Sequence, residues 1–262
     1  MAALVEGNSI RATTRMTDVS KPTILKLLAD VGKACTEYQD EVLRDLPCKR
    51  VQCDEIWSFC YAKEKNVPKE KRGKWGFGDV WTWTAICADT KLVPTWLVAP
   101  RNMTAATAFM NDLAMRLRNR VQITTDGFKV YVNAIEGAFG SEVDYSMLVK
   151  IYGEPEQKEQ RYSPPICLAI QHTTIQGKPD PKHVSTSFAE RQNLTMRMSM
   201  RRFTRLTNAF SKKIQNLEAA VALHFMWYNF GRIHQTLRVT PAMEAGVAKR
   251  PFTVEDIVAL LK

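Results

Sequence analysis

Three acids stand where phosphoryl-transfer chemistry would need them: Asp54 inside a β-rich run, Asp126 just after another, and Glu190 near the start of a helical stretch. Carboxylates are hard oxygen ligands and suit Mg²⁺ or Mn²⁺. Two such ions about 4 Å apart activate an attacking hydroxyl and stabilise a leaving 3′ oxygen. Each residue then has one role, with Asp54 bridging both ions, Asp126 binding one and Glu190 the other. Such a site needs no protein nucleophile, and no Ser–His or Cys–His pairing stands out. Glu55 is the rival of Asp54, because adjacent strand residues face opposite sides. Asp89, Asp112 and Asp144 fall in turns or at element edges, where solvation accounts for them.

The element that must carry Glu190 is Val184–Arg205, VSTSFAERQNLTMRMSMRRFTR. Ser185, Thr186 and Ser187 each suit a helix start, and the run after them contains no Gly or Pro. Glu190 is its one carboxylate among Arg191, Arg197, Arg201, Arg202 and Arg205. Helical spacing puts Leu194, Arg197 and Arg201 roughly on the Glu190 side. Solvated faces usually mix signs. An acid alone in a basic stripe fits a cation held by the acid and phosphates held by the arginines. Taken alone, the segment also reads as a plain surface helix.

The elements for the other two acids come from the middle of the chain. Lys49–Tyr61 is rich in β-formers and predicts a strand with Asp54 and Glu55 in its interior, where an acid is costly unless paired or metal-bound. Ala62–Asp79 is a lysine-rich loop. Val80–Ala88 and Leu92–Ala99 flank the Asp89-Thr90 turn as a hairpin. Thr104–Asn119 has Phe109, Leu113 and Leu117 at helical spacing. Val121–Thr125 is a short strand ending at Asp126-Gly127, Tyr131–Phe139 a helix and Tyr145–Ile151 another strand. Three antiparallel strands, a helix, a strand, a helix and a strand give the element order of an RNase H-like fold. The expected class is therefore α/β, a mixed five-stranded sheet flanked by helices, with Asp126 beside Asp54. Gly153–Lys182, rich in Pro, Gln and Gly, reads as an irregular insertion.

At the N-terminus, Ser9–Met16, the break Thr17-Asp18-Val19 and a second helix capped by Ser20 with Pro22 in its first turn match a helix-turn-helix plan. Ile24, Leu27, Leu28 and Val31 form the buried stripe, and Lys21, Thr23 and Lys26 are left exposed as candidate DNA contacts. A plain helical hairpin is the alternative. Ile214–Phe230 is an aromatic-rich helix, and Val254–Leu261 closes the chain. The expected division is 1–47 for the helix-turn-helix and connector, with a short first helix. The catalytic core then takes 48–212, with an insertion at about 153–184, and a helical extension takes 213–262.

With 262 residues, 45% hydrophobic content and a formal charge of +10, the chain suits a globular protein with a polyanionic partner. The six cysteines form no CxxC pair, which argues against a zinc ribbon. No charged-then-apolar leader and no apolar run near 20 residues stands out, so a cytosolic protein away from membranes is expected.

The segments CDEIWSF (53–59), VWTWTAI (80–86), ITTDG (123–127), STSFAERQNLTMRMSMRRFTRLTNAFSK (185–212) and WYNFGRIHQTLRVTPAM (227–243) carry a family likeness. Across nearly the whole chain they resemble DDE transposases of bacterial insertion sequences, of the insertion-sequence-one-like group. The resemblance implies that Asp54, Asp126 and Glu190 are the catalytic triad, working with Mg²⁺ or Mn²⁺ in a two-ion site. It implies Arg191 and Asn193 as helix neighbours of the site, and a helix-turn-helix that docks on transposon ends. The expected activity is DNA strand cleavage at those ends and transfer of the 3′-OH to target DNA. A homo-oligomer, a dimer by analogy, is the expected assembly. In the tail, Tyr228-Asn229, Arg232, His234 and Pro241 resemble a pattern of several transposase families. His234 reads there as a DNA contact or as a structural residue. Rival readings are an RNase H-like nuclease without strand transfer and a non-catalytic DNA-binding regulator.

Overall fold

A computed structural model of the chain describes residues 1–153, 167–204 and 208–261. The N-terminal helices are α1 (Ala2–Val5), α2 (Ile10–Thr17) and α3 (Lys21–Val42). Then come β1 (Arg50–Cys60), β2 (Gly78–Cys87), β3 (Thr95–Ala99), α4 (Met103–Arg116), β4 (Val121–Thr125), α5 (Val130–Phe139), β5 (Val143–Tyr152) and β6 (Cys167–Gln176). The chain continues through α6 (Ser187–Ser199), α7 (Ile214–Met226), a π-type turn at Trp227–Gly231, α8 (Pro241–Glu244) and α9 (Val254–Val258).

The described strands form one mixed sheet in the order β3-β2-β1-β4-β5-β6. β1–β2, β2–β3 and β5–β6 run antiparallel, whereas β1–β4 and β4–β5 run parallel. The first five strands are compatible with an RNase H-like core. The sixth corrects the five-stranded expectation: Cys167–Gln176 pairs with β5 as an exposed edge strand inside the stretch read as irregular. Its residues after Cys167 (LAIQHTTIQ) are rich in β-branched types, a signal outweighed in the sequence by the surrounding prolines. Residues 154–166 of that stretch lie outside the described residues. β3 begins only at Thr95, just after Pro94, which has no N–H to give a ladder.

Side chains alternate across the sheet into two apolar clusters. Val51, Cys53 and Trp83 face α4 and α5, where Trp83 meets Phe109, Phe128 and Tyr131. Ile56, Val80 and Ile86 face α6 and α7, against Ala189, Met196 and Phe225. α7 contributes to both clusters.

At the N-terminus, Ser9 and Ser20 cap α2 and α3 as their positions suggest, and Asp18, at φ +54°, ends α2 in the left-handed region. α3 runs unbroken to Val42, so the mixed-charge helical stretch that reads in the sequence as a connector continues the same helix. Its stripe of Ile24, Leu28, Val31 and Cys35 is buried in the same cluster as Val51 and Cys53. At Gly32 a Cβ would run into Ala219 of α7, so glycine is what lets the two helices approach. No helix of the described residues is long and apolar enough to cross a membrane.

Candidate metal centre

The parallel pairing of β1 with β4 brings two of the acids together. Cys53 is in register with Thr125, and β4 stops there. The next residue of each strand is therefore Asp54 on β1 and Asp126 at the carboxyl end of β4. Beyond Thr125, β1 has no partner on that side, which leaves open space for acidic side chains. Oxygens of Asp54, Glu55 and Asp126 lie within 4.8 Å of one another. Alternation aims Asp54 and Glu55 at different faces, but the sheet edge where β4 ends lets Glu55 lean into the same space. Strand alternation by itself therefore separates Asp54 from Glu55 too sharply.

α6 is fixed over Asp54 by β1 itself. Gln52, two residues before Asp54 on the same face, accepts hydrogen bonds from the Phe188 and Ala189 amides at 2.8 and 3.2 Å. This is the cap of the helix. Of the hydroxyls expected to cap it, Ser185 accepts from the Ser187 amide at 3.2 Å, whereas Thr186 occupies the N-cap position without a capping bond and its Oγ1 donates to Glu190 at 2.7 Å. Further along, Asn193 Nδ2 donates to Asp54 Oδ2 at 2.8 Å. Two strand residues span about 7 Å and four to five helical residues span about the same, so strand and helix stay in step.

Glu190 is one turn before Asn193 on the same side of α6, yet its carboxylate is outside the three-acid cluster. It is held by Lys150 of β5 and by Thr186. Arg101 joins the other acids: its Nε donates to Glu55 Oε2 at 3.0 Å, its Nη2 lies 3.8 Å from Asp126 Oδ2, and its guanidinium lies over the Phe128 ring. Sequence reasoning missed both cations. Arg101 precedes a helix and Lys150 lies near the end of a strand, with no local pattern to mark either.

The electrostatics are those of an acid cluster short of positive charge. Burial, then the neighbouring Glu55 charge, pushes the Asp54 carboxyl up to about 7. Burial also raises Glu55, against the opposing pull of the Tyr131 hydroxyl and of Arg101. Three carboxylates gathered in one place make an all-oxygen donor set that fits a hard divalent cation.

The basic residues distribute differently from a continuous stripe. α6 ends at Ser199, so Arg201 and Arg202 lie in the following turn, off a helix expected to run to Arg205. Gly7, at φ +71°, packs against the Ser199 carbonyl and its own carbonyl accepts from the Arg201 amide at 3.1 Å, which draws the chain out of the helix. Arg205 lies outside the described residues. Arg191 is exposed on α6 and Arg197 is half-buried in its last turn. Lys21, Thr23 and Lys26 are exposed, Thr23 bonded to Ser20 and Lys26 paired with Asp30.

The tail returns to α6. Arg232 Nη1 donates to Ser199 Oγ at 3.3 Å, and Thr236 bonds the His234 Nδ1 at 3.0 Å. Burial and then the charges of Lys91, Arg232 and Arg191 hold the His234 imidazole below its usual value. His224 and Trp83 are buried, whereas Trp57, Trp81 and Trp96 are half-buried, less enclosed than strand-core tryptophans would be.

No family model matches the chain, and no curated protein matches it. Among solved structures it is similar to a piggyBac transposase, in a cryo-EM structure of its synaptic complex with hairpin DNA, at 9% identity and a TM-score of 0.32. That alignment covers 82% of this chain and 52% of the other, so the chain spans about half the length of the protein it matches. At so low a likeness, the chain's own side chains must carry any functional reading.

Proposed function

We propose that the chain is a DNA transposase of the DDE type, cleaving strands at transposon ends and joining the freed 3′-OH to target DNA. One observation carries the reading: Asp54 and Asp126 converge where β4 ends, under a helix whose Asn193 holds Asp54 and whose Glu190 lies one turn away. Bound there, Mg²⁺ or Mn²⁺ supplies Lewis-acid stabilisation of the attacking and leaving oxygens. Asp54 and Asp126 offer oxygens from two adjacent strands, and Asn193 keeps the Asp54 carboxylate turned toward α6. Glu190 completes the set when its carboxylate leaves Lys150. Arg101 fixes Glu55 and sets one wall of the site. Lys91, Arg191 and Arg232 present positive charge to the phosphates beside it, and the His234 imidazole among them offers a hydrogen bond.

In this reading residues 1–47 are the helix-turn-helix that recognises terminal repeats through Lys21, Thr23 and Lys26. Residues 48–212 are the catalytic core and 213–262 its helical extension, with the protein acting as a homo-oligomer. The test is to incubate the full chain with linear DNA carrying the flanks of its reading frame, in Mg²⁺ or Mn²⁺. Nicks with free 3′-OH ends and then joined products are expected, both lost on EDTA addition. Nicks without joined products support a nuclease instead, and binding without any cut supports a regulator.

A further inference from the structure

β1 reaches further than the strands around it. β4 stops at Thr125, in register with Cys53, and β3 stops opposite Trp81, whereas β1 and β2 stay paired out to Cys60 and Gly78. Beyond Trp57 and Trp81 no other described strand joins this hairpin, and a bridge from Cys60 to Ser211 braces one side. The result is an arm whose tip lies about 20 Å along β1 from Asp54. Tyr61, at φ +68°, turns the chain out of β1 and into the loop 62–77. Val67 is buried under that loop, the Tyr61 and Phe77 rings meet edge-on at 5.1 Å, and Glu64 Oε2 accepts from the Asp79 amide at 3.2 Å. The tip therefore has a defined shape.

Its chemistry is cationic and aromatic. Lys63, Lys65, Lys69, Arg72 and Lys74 are exposed and Lys71 is half-buried, with its ammonium 4.2 Å from the Tyr61 ring centre. Among the described residues none of the six is in an ion pair, and the acids nearby are Glu64, Glu70 and Asp79. Positive charge predominates, which suits a polyanion. The Lys74 amide donates to the Lys71 carbonyl and the Phe77 amide to the Lys74 carbonyl, each at 3.2 Å, so Lys71, Lys74 and Trp75 share one tight turn. Gly73 at φ +72° and Gly76 at φ +85° flank Trp75, in a backbone region where other residues are strained. That turn presents Trp75 outward, 44% exposed and in no ring contact among the described residues. An acidic peptide would answer the lysines and leave the indole bare. A duplex keeps its base faces stacked inside. An unpaired strand offers both phosphates and an open base face, and bases stack on indoles whatever their sequence.

We propose that the tip of the β1–β2 arm is a contact for single-stranded DNA, with an unpaired base on the Trp75 indole and the adjoining phosphates on Lys71 and Lys74. The arm adds to the DNA-binding reading, on which it rests, the surface that takes an unpaired strand.

The test uses the full chain in EDTA and fluorescence anisotropy with labelled oligothymidylate of about twelve nucleotides, a length within the range such sites cover. An abasic strand and a blunt duplex of the same length are titrated beside it. Oligothymidylate is expected to bind at least fivefold tighter than the abasic strand. Trp75→Ala should remove that preference while leaving the abasic strand's affinity unchanged, and Trp75→Phe should keep most of it. Lys74→Gln should lower the log–log salt slope for the single strand by about 0.7, the value for one lost phosphate contact. With no metal present, the assay reads the arm whether or not the acids cut, and its failure leaves the cleavage test untouched. The proposal is overturned if the abasic strand binds as tightly as oligothymidylate, or if the preference survives Trp75→Ala. It is overturned too if the duplex loses as much affinity as the single strand on Trp75→Ala, which would make the tip a duplex contact. Displacement of the strand by an oligoglutamate peptide of equal charge would make it an acidic-protein site and would also overturn it.

Discussion

The Asp54 carboxyl, with a pKa of about 7, keeps a proton in the folded chain that the unfolded chain releases near 3.8. Its contribution therefore favours folding most below that lower value and is lost as the pH climbs through 7. A divalent cation must displace this proton, so apparent affinity should rise up to about tenfold per unit of pH below 7 and level off above it. Thermal unfolding at fixed Mn²⁺ between pH 6 and 8 checks this, and a shift in Tm that ignores pH would place the ion elsewhere. Glu190→Gln should reduce strand cleavage by a factor of 10³ or more while DNA affinity, read by gel shift, changes less than threefold. A parallel loss of affinity would make the residue structural. Lys150→Met, which frees Glu190, should lower the Mn²⁺ concentration needed for half-maximal thermal stabilisation. Asp54 and Asp126 are legible in the sequence because a short strand ending in an acid, set against a strand with an interior acid, has few explanations. Arg101 and Lys150 are not legible, because a cation gains its role from a partner distant in the chain.

At the scale of elements, the tie between β1 and α6 depends on Gln52 more than on any hydroxyl at the helix start. Gln52→Ala should cost about 1 kcal/mol, the usual worth of a lost helix cap, and Ser187→Ala much less. Chemical denaturation of the two variants separates these outcomes, and equal costs would mean that the amides of Phe188 and Ala189 find other partners. The helix start is visible in the sequence as a run of Ser and Thr, but the residue that caps it is not, since a cap supplied from another element leaves no local pattern. The helix end is misread for a related reason. Met200–Arg205 contains good helix formers, and the helix is stopped by Gly7 packing on Ser199 from nearly 200 residues away. Periodicity locates the interior strands well, whereas β6 lies hidden because an exposed edge strand needs no apolar alternation.

For the molecule as a whole, the formal charge is +10, and Lys91, Arg191 and Arg232 all act on the His234 imidazole. Binding to duplex DNA should weaken steeply with salt, and Arg191→Gln should reduce the log–log slope by about 0.9, the value for one lost phosphate contact. Fluorescence anisotropy over 50 to 300 mM KCl (roughly, the range where such slopes are read) reports it, and an unchanged slope would remove Arg191 from the interface. The seam at Gly32 and Ala219 bears on how such a molecule handles a duplex. α3 shares its buried stripe with the sheet and abuts α7, which reaches both apolar clusters, so no pliant joint separates the N-terminal helices from the acids. In the proposed reading, a duplex held by the N-terminal helices must itself curve to present a scissile phosphate to the acids. Pre-bent or nicked duplexes would then be favoured over straight ones of identical sequence.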